Sequence, residues 1–591
     1  MKNLKTTSIV SQEQFASKVD SYILEGIAKQ REGLNLSHQE REKLLKLARN
    51  EISHFFEKPN RLNSVTENKQ VKKQTFLCFV TLYKYQKLLA CVSQPASTID
   101  ESITLSTRKA LQIAILENNF SQENIYVEIN LLFEEKSIDN ISFINLEKSI
   151  ALGIDAIRIE HLNKFAIFKN SVPIKNGYSL EQTLKKLAEK CGFESDILLS
   201  SETKISVYKV IEFREDFLTS ENKYGLYDLY RGNPVILQNE ITTELINHSV
   251  ELTINLLNKF IANPNWPAYE YIYKENKFDT SHTSQAVLRI LASAHVLGVY
   301  SGFKKNLAVL ESTKHCINKI LQKYLKINNE FAYLEINNIV DIGTTGCLLL
   351  AINSISDQST FLDLKGKLSA YLISAYDVEN KKLIPITKPD HRSLFHESEY
   401  YFPGITLNAL LQSTNPNILS ESMDIAKNVF AYYYHLYHAS PDGIKMMTWM
   451  TSAYSKLFHL TKNDKYMEFI FQMNDGILSK QFNFHAKQID IIGSFSKDGS
   501  SRTTSAITES LIEAYHLARL SNDNDRAIKY YEAICLALRF VLQSQFRPDN
   551  TFNQDIIGGY KNNFFDANIR IDNLQHAGLM MLSFIQGRVH I

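Results

Sequence analysis

From residue 241 to its end the chain carries twelve amphipathic helical stretches in succession, and the connections between them alternate long and short with one exception. Apolar residues at three- and four-residue spacing mark helices near 241–262, 282–300, 302–326, 341–353, 358–377, 400–413, 418–438, 445–461, 464–481, 504–520, 523–545 and 573–587. Connections after the first, third, fifth, ninth and eleventh are long: 263–281, 327–340, 378–399, 482–503 and 546–572. Those after the second, fourth, sixth, eighth and tenth run from one to four residues. Connections that short force antiparallel neighbours. The pattern therefore predicts six helical hairpins closed into an (α/α)6 toroid, an all-α barrel of twelve helices. All its long loops fall on one face, which is where a ligand site is expected.

At 591 residues the chain exceeds what one core supports. Residues 12–30 read as an added helix, and the pattern turns to mixed α+β from Ser37, a cap for the next helix with Glu40 three residues on. Runs rich in Val, Ile, Phe and Tyr at 75–85, 124–133, 156–161, 164–170 and 204–213 read as strands, with helices near 99–117 and 179–191 between them. Residues 216–240 lack clear period. The expected organisation is an N-terminal extension with one helix (1–36), an α+β domain (37–215), a linker (216–240) and the barrel (241–591).

Formal net charge is +1, so the totals carry no electrostatic footprint for nucleic acid or an anionic membrane. Six cysteines stand singly, with no CxxC or Cys/His spacing that would suggest a metal or a disulfide framework. The opening MKNLKTTSIVSQEQF lacks the apolar core of a secretory signal peptide, and no run approaches the ~18 apolar residues of a membrane helix. A cytoplasmic protein is expected. Walker, GxGxxG, GxSxG and HExxH motifs are missing, so no cofactor or metal is expected.

Residues 37–215 resemble the AMME chromosomal-region protein family through FVTLYKYQKLLACVS (79–93), SVPIKNGYSLEQTLKKLAEKCGF (171–193) and VYKVIEF (207–213). That family carries a Leu-Arg-Gly-Cys-Ile-Gly hexapeptide. The aligned stretch here runs Leu88, Leu89, Ala90, Cys91, Val92, Ser93, retaining the first leucine and the cysteine. Residues 241–591 resemble the six-hairpin barrels of carbohydrate-active proteins, glucuronyl epimerases and glycosidases among them. The resembling pieces are EYYFPGITLNALL (399–411), DGSSRTTSAITESLIEAYHLA (498–518) and GGYKNNFFDANIRIDNLQHA (558–577). Related barrels often read Tyr-Pro-Gly-Glu where this chain has Phe402, Pro403, Gly404 and Ile405.

Candidate chemistry gathers on the long loops. The stretch 389–404 concentrates His391, Arg392, His396, Glu397, Glu399, Tyr400 and Tyr401, and Glu399 and Tyr401 are the catalytic candidates. A glycosidase needs two carboxylates about the scissile bond, and an epimerase or lyase needs a base beside a uronate carboxyl and a cation for the enolate. Glu399 is equally a first-turn acid favoured by the helix dipole, with Tyr401 in the core. In the last loop Arg570 is a candidate clamp for a carboxylate, and Asp572 with His576 an acid–base pair four residues apart. The other reading of Asp572 is favoured: an N-cap, with Gln575 at N3. Arg502, two turns before Glu509, is a candidate for meeting an anionic group. Trp266, Tyr269, Tyr271, Tyr273 and Trp449 offer flat faces for sugar C–H surfaces. Cys91 is a possible second site, with Lys87 as the nearest cation in sequence, but a buried structural thiol is the favoured reading.

The leading functional expectation is an epimerase, lyase or hydrolase acting on a sugar or uronate-bearing glycan at the long-loop face. The alternatives are a non-catalytic binding or scaffold protein, or an accessory of a radical-SAM-associated modification system. A protein partner would then meet the N-terminal domain.

Overall fold

The computed structural model describes residues 2–57, 76–84, 87–117, 125–138, 142–215, 226–355, 361–388, 397–484, 486, 488–551 and 553–587. Among them are eighteen α-helices. Helices α1 (Lys2–Gln30), α2 (His38–Glu57), α3 (Ile99–Glu117), α4 (Phe143–Ser149), α5 (Ser171–Asn176) and α6 (Leu180–Cys191) surround one antiparallel sheet. Its strands are β1 (Leu77–Lys84), β2 (Lys87–Ser93), β3 (Ile125–Ile138), β4 (Ala156–His161), β5 (Lys164–Phe168), β6 (Lys204–Glu215), β7 (Leu226–Tyr230) and β8 (Asn233–Pro234). The order is β2-β1-β3-β6-β4-β5, with β7 joining the far end of β6 and β8 pairing β7.

Local chemistry sets the helix ends. Ser37 and Glu40 bond each other's backbone amides at 2.7 and 3.2 Å, the reciprocal cap that their spacing predicts. Ser179 and Gln182 repeat the device on α6, which Gly192 ends at φ 88°. Strands β1 and β3 and helices α2 and α3 bury one core, with Val80, Ile103, Leu111 and Ile129 fully enclosed. Strand β4 and helix α6 bury a second around Ile159, Leu187 and Ile205.

The helical region comprises α7 (Thr243–Ile261), α8 (Ser284–Lys304), α9 (Leu307–Tyr324), α10 (Ile342–Asn353), α11 (Leu362–Ser374), α12 (Ser398–Leu410), α13 (Pro416–Ala439), α14 (Met447–Thr461), α15 (Asp464–Leu478), α16 (Ser501–Leu520), α17 (Asn524–Gln543) and α18 (Ile571–Gln586). Contacts run α8–α10–α12–α14–α16–α18 and return from α18 to α8, a closed circuit of alternate helices. Close approach within it requires glycine at 404, where a Cβ would stand 2.8 Å from the Trp449 Cβ and 2.9 Å from the Met450 nitrogen.

The long connections, expected as plain loops, carry strands. They are β9 (Ala268–Ile272), β10 (Lys277–Thr280), β11 (Leu325–Ile327), β12 (Ala332–Ile336), β13 (Ile339–Asp341), β14 (Tyr376–Asp377), β15 (Lys382–Leu383), β16 (Ile386–Lys388) and β17 (Ile569–Arg570). Runs of two to five residues are too short for period-2 alternation to reveal. Strand β17 pairs β9, which ties the last long loop to the first.

Two expectations need correction. The stretch 216–240 is no plain linker: its described part forms β7 and β8 and extends the sheet, backbone pairing having outweighed the absence of side-chain period. Helix α8, though interrupted by Arg289, is long and apolar enough by composition to cross a membrane; 67% of its most apolar window is buried in the protein, as in the core helix of a folded domain.

The sheet and the ring share a packed boundary. Val19 and Ile23 of α1 are buried with Ile489, Ile492 and Leu536 of the helical region. Arg231, between β7 and β8, donates from Nε to Asp490 at 2.7 Å, with both side chains almost wholly buried. Its guanidinium also lies over the Phe564 ring.

Candidate functional site

Helices α8, α16 and α18 each follow a long connection, and their N-terminal ends come together, since Arg289, Arg502 and Arg570 reach the same Asp572 carboxylate. Aligned amide groups give each such turn a partial positive charge. Arginines at three of these starts reinforce it. Asp572, in the first turn of α18 and 3% exposed, receives Arg570 Nη2 at 2.7 Å and Nε at 3.1 Å, Arg289 Nε at 3.0 Å, and Arg502 Nη1 at 3.5 Å. Burial acts to raise the Asp572 carboxyl, but Arg289, Arg570 and Arg502 together hold it below its ordinary value.

Tyr269 of β9 forms a floor for two of the guanidiniums. Its hydroxyl accepts from Arg289 Nη1 at 2.9 Å, and Arg289 and Arg570 lie 5.8 and 5.6 Å from its ring centroid. Arg502 keeps 38% of its side chain exposed, while its Nε is enclosed without a hydrogen-bond partner. Even with Glu270, which faces Arg570 in the β9–β17 register, the three cations exceed the two carboxylates. Tyr401, at the start of α12, feels Arg502 and Arg289; burial and Glu397 raise its phenol above the ordinary value.

Farther into the ring, His576 lies one turn beyond Asp572, and Glu509 two turns beyond Arg502. His576 Nδ1 is 2.8 Å from Glu509 Oε1. Burial raises the Glu509 carboxyl, and His576 only partly offsets this. A carboxyl and an imidazole in hydrogen-bond contact can exchange a proton, the arrangement needed for general acid–base work.

Asp572 is therefore no N-cap: Arg570 occupies that position, and the aspartate sits inside the first turn because three guanidiniums outcompete backbone amides for its oxygens. His576 pairs with Glu509, not with Asp572. Glu399 turns away from the arginines, accepting from the hydroxyl of Tyr432 on α13 and lying 3.6 Å from Lys382 of β15. His391, Arg392 and His396 lie outside the described residues.

The aromatic candidates scatter. Only Tyr269 among them touches the arginine cluster. Trp266 packs against His282 and Tyr324 under Lys323. Tyr271 is buried, its hydroxyl accepting from Asn553 Nδ2 at 3.0 Å. Tyr273 stacks on Phe546. Trp449 is buried against Gly404. Cys91 is exposed, contrary to the expected buried thiol, because β2 is an edge strand; Thr81 Oγ1 lies 3.3 Å from its sulfur. The cations that sense it are Lys169 and Lys190, brought close by the fold where sequence offered only Lys87.

Arg289 escaped the sequence reading because it stands on an apolar helix far from the other site residues. A charge at the sixth residue of α8, within a run otherwise suited to burial, was the available signal.

Residues 45–213 match the AMMECR1 family model. No curated protein matches the chain. Among solved structures, an uncharacterised protein from Pyrococcus horikoshii is similar at 21% identity over 32% of this chain and 96% of its own, with a TM-score of 0.25. A family 76 α-mannanase from Bacteroides thetaiotaomicron is similar at 11% identity, 58% and 96% coverage and TM-score 0.39. An unsaturated glucuronyl hydrolase from Streptococcus agalactiae is similar at 10% identity, 58% and 92% coverage and TM-score 0.41. The chain thus carries a segment that matches the AMMECR1 family model, followed by a helical region.

Proposed function

We propose that the helical region is a twelve-helix (α/α)6 toroid whose long-loop mouth binds an acidic saccharide through its carboxylate. The carrying observation is the convergence of Arg289, Arg502 and Arg570 on the single buried carboxylate of Asp572. Guanidiniums match carboxylates in a planar, two-point fashion. Arg502 is the group to which a uronate carboxylate comes, since it is the most exposed of the three and its bond to Asp572 is the longest.

On this reading Asp572 is a positioning residue that holds the arginines. Glu509 and His576 supply the proton transfer of an epimerase, lyase or hydrolase, and Tyr401 offers a hydroxyl at the mouth. Glu399 carries no catalytic role. The six cysteines are unpaired, which suits a reducing compartment.

The test is turnover of uronate-bearing oligosaccharides followed by mass spectrometry, comparing the protein with its Glu509→Gln and His576→Ala variants. Product formed by the parent and lost in both variants supports the assignment. Undiminished turnover in either variant removes the pair. Binding without any turnover favours the non-catalytic reading.

A further inference from the structure

A cavity lies away from the arginine cluster, where the β-sheet region rests on the last long loop of the ring. It is a cavity of about 140 Å³. Drug-sized sites start at about 300 Å³, so this one suits a small occupant. One wall is Ser171 at the start of α5, with Lys175 one turn on and Arg214 near the end of β6. The facing wall is Lys561, with Phe546 and Phe564 closing the sides.

Three features mark it as built for a ligand. First, cations surround it from both regions. Lys561 donates to Asn233 Oδ1 at 2.5 Å and has no carboxylate partner among the described residues. Lys175 donates to Glu128 at 3.0 Å and to the Tyr83 hydroxyl, lines the cavity and keeps 42% of its side chain exposed. Second, the nearest carboxylates do not neutralise the space. Glu128 is buried behind Lys175 and already satisfies Lys169 at 2.6 Å. Glu212 accepts from Asn170 at 2.8 Å and from the Gly232 amide at 3.3 Å, and burial followed by Glu128 raises its carboxyl toward the neutral form. Third, the Ser171 hydroxyl is 1% exposed, lines the cavity and has no hydrogen-bond partner. A buried hydroxyl left unpaired costs stability unless something occupies the space it faces.

We propose that this cavity is a site for a small oxyanion, a phosphate or a short carboxylate, bridged between Ser171 and Lys175 on the sheet side and Lys561 on the ring side. The anion would supply the acceptors that Ser171 and Lys561 lack and would join the two regions across their boundary. Burial, with Arg214 and Lys175 nearby, draws the Lys561 ammonium down to about 8. Asp490 and Glu212 act in the opposite sense. Binding therefore weakens as pH rises through that value.

The experiment is a thermal-shift titration of the full chain with inorganic phosphate and, separately, malonate, each against chloride at matched ionic strength. A saturable shift with either anion is expected, and the anion that gives it identifies the chemical class. Lys561→Gln should weaken the apparent affinity by about tenfold. Ser171→Val, which removes the hydroxyl and narrows the cavity, should weaken it as much. Arg502→Ala, at the other site, should leave it unchanged. No shift beyond chloride overturns the proposal, as does a shift that survives both cavity variants. A shift lost in Arg502→Ala overturns it too, because the anion would then belong to the ring mouth.

Discussion

His576 Nδ1 stands 2.8 Å from Glu509 Oε1, linking the packed helices α18 and α16 through a buried carboxyl that burial holds above its ordinary value. Such a pair is costly in a purely structural role, since a buried titratable group needs full hydrogen-bonding to persist. Placed below three arginines that converge on Asp572, it becomes intelligible as the proton-handling part of a site for an acidic ligand. Glu509→Gln keeps the shape and removes the proton exchange. Turnover should fall by about 10² to 10⁴ with binding retained, as steady-state kinetics beside calorimetry would show.

Asp572 should matter for stability as well as function. Asp572→Ala leaves three guanidiniums crowded without their carboxylate and should cost about 3–5 kcal/mol in urea unfolding. The acid limb has a definite sign. The folded carboxyl lies below its ordinary value, so its contribution is complete above the unfolded pKa of about 3.9 and is lost as pH falls through the lower folded value. Asp572→Asn should therefore flatten the decline in melting temperature over that acid range.

Glu399→Gln gives the opposite expectation. Its partners are Tyr432 and Lys382, away from the arginines. Saccharide binding should be unchanged within a factor of about two in calorimetry, which corresponds to about 0.4 kcal/mol. A larger loss would return Glu399 to the site.

The boundary between sheet and ring rests on Arg231 and Asp490, each buried. Arg231→Ala leaves Asp490 buried without its cation and should cost about 3–5 kcal/mol. Differential scanning calorimetry should then show two transitions where the parent shows coupled unfolding.

Gly404→Ala tests the closeness of α12 and α14. The new methyl would press on Trp449 and the Met450 nitrogen, and overpacking of this kind costs about 1–3 kcal/mol in chemical denaturation.

Much of the architecture was legible because helices write their burial into spacing. The boundaries of α7 through α18 follow the apolar period, and short connections dictate antiparallel neighbours. The strands within the long loops were not legible, since runs such as Ile569–Arg570 hold no period and form only when β9 lies beside them. The site was half legible. Arg502, Arg570 and Asp572 sit on loop ends or first turns, with His576 one turn further on, where a charged residue before an apolar run draws notice. Their partners did not: Arg289 joins from almost 300 residues upstream of Asp572, and Glu509 meets His576 only because α16 packs on α18. Asp572 was misread as a cap because local backbone amides are visible in sequence and distant guanidiniums are not. The cavity between sheet and ring left no trace in sequence, being assembled from Ser171, Lys175 and Lys561 across the boundary.

On the proposed reading the ring mouth recognises a carboxylate through arginines. Isothermal titration calorimetry with a uronate-bearing oligosaccharide and its carboxyl-reduced neutral counterpart tests it most directly, using the parent protein and Arg502→Ala. Saturable binding of the acidic form, at least about tenfold tighter than the neutral form and lost in Arg502→Ala, is the predicted result. Equal affinity for both forms, or acidic binding that survives Arg502→Ala, would contradict it.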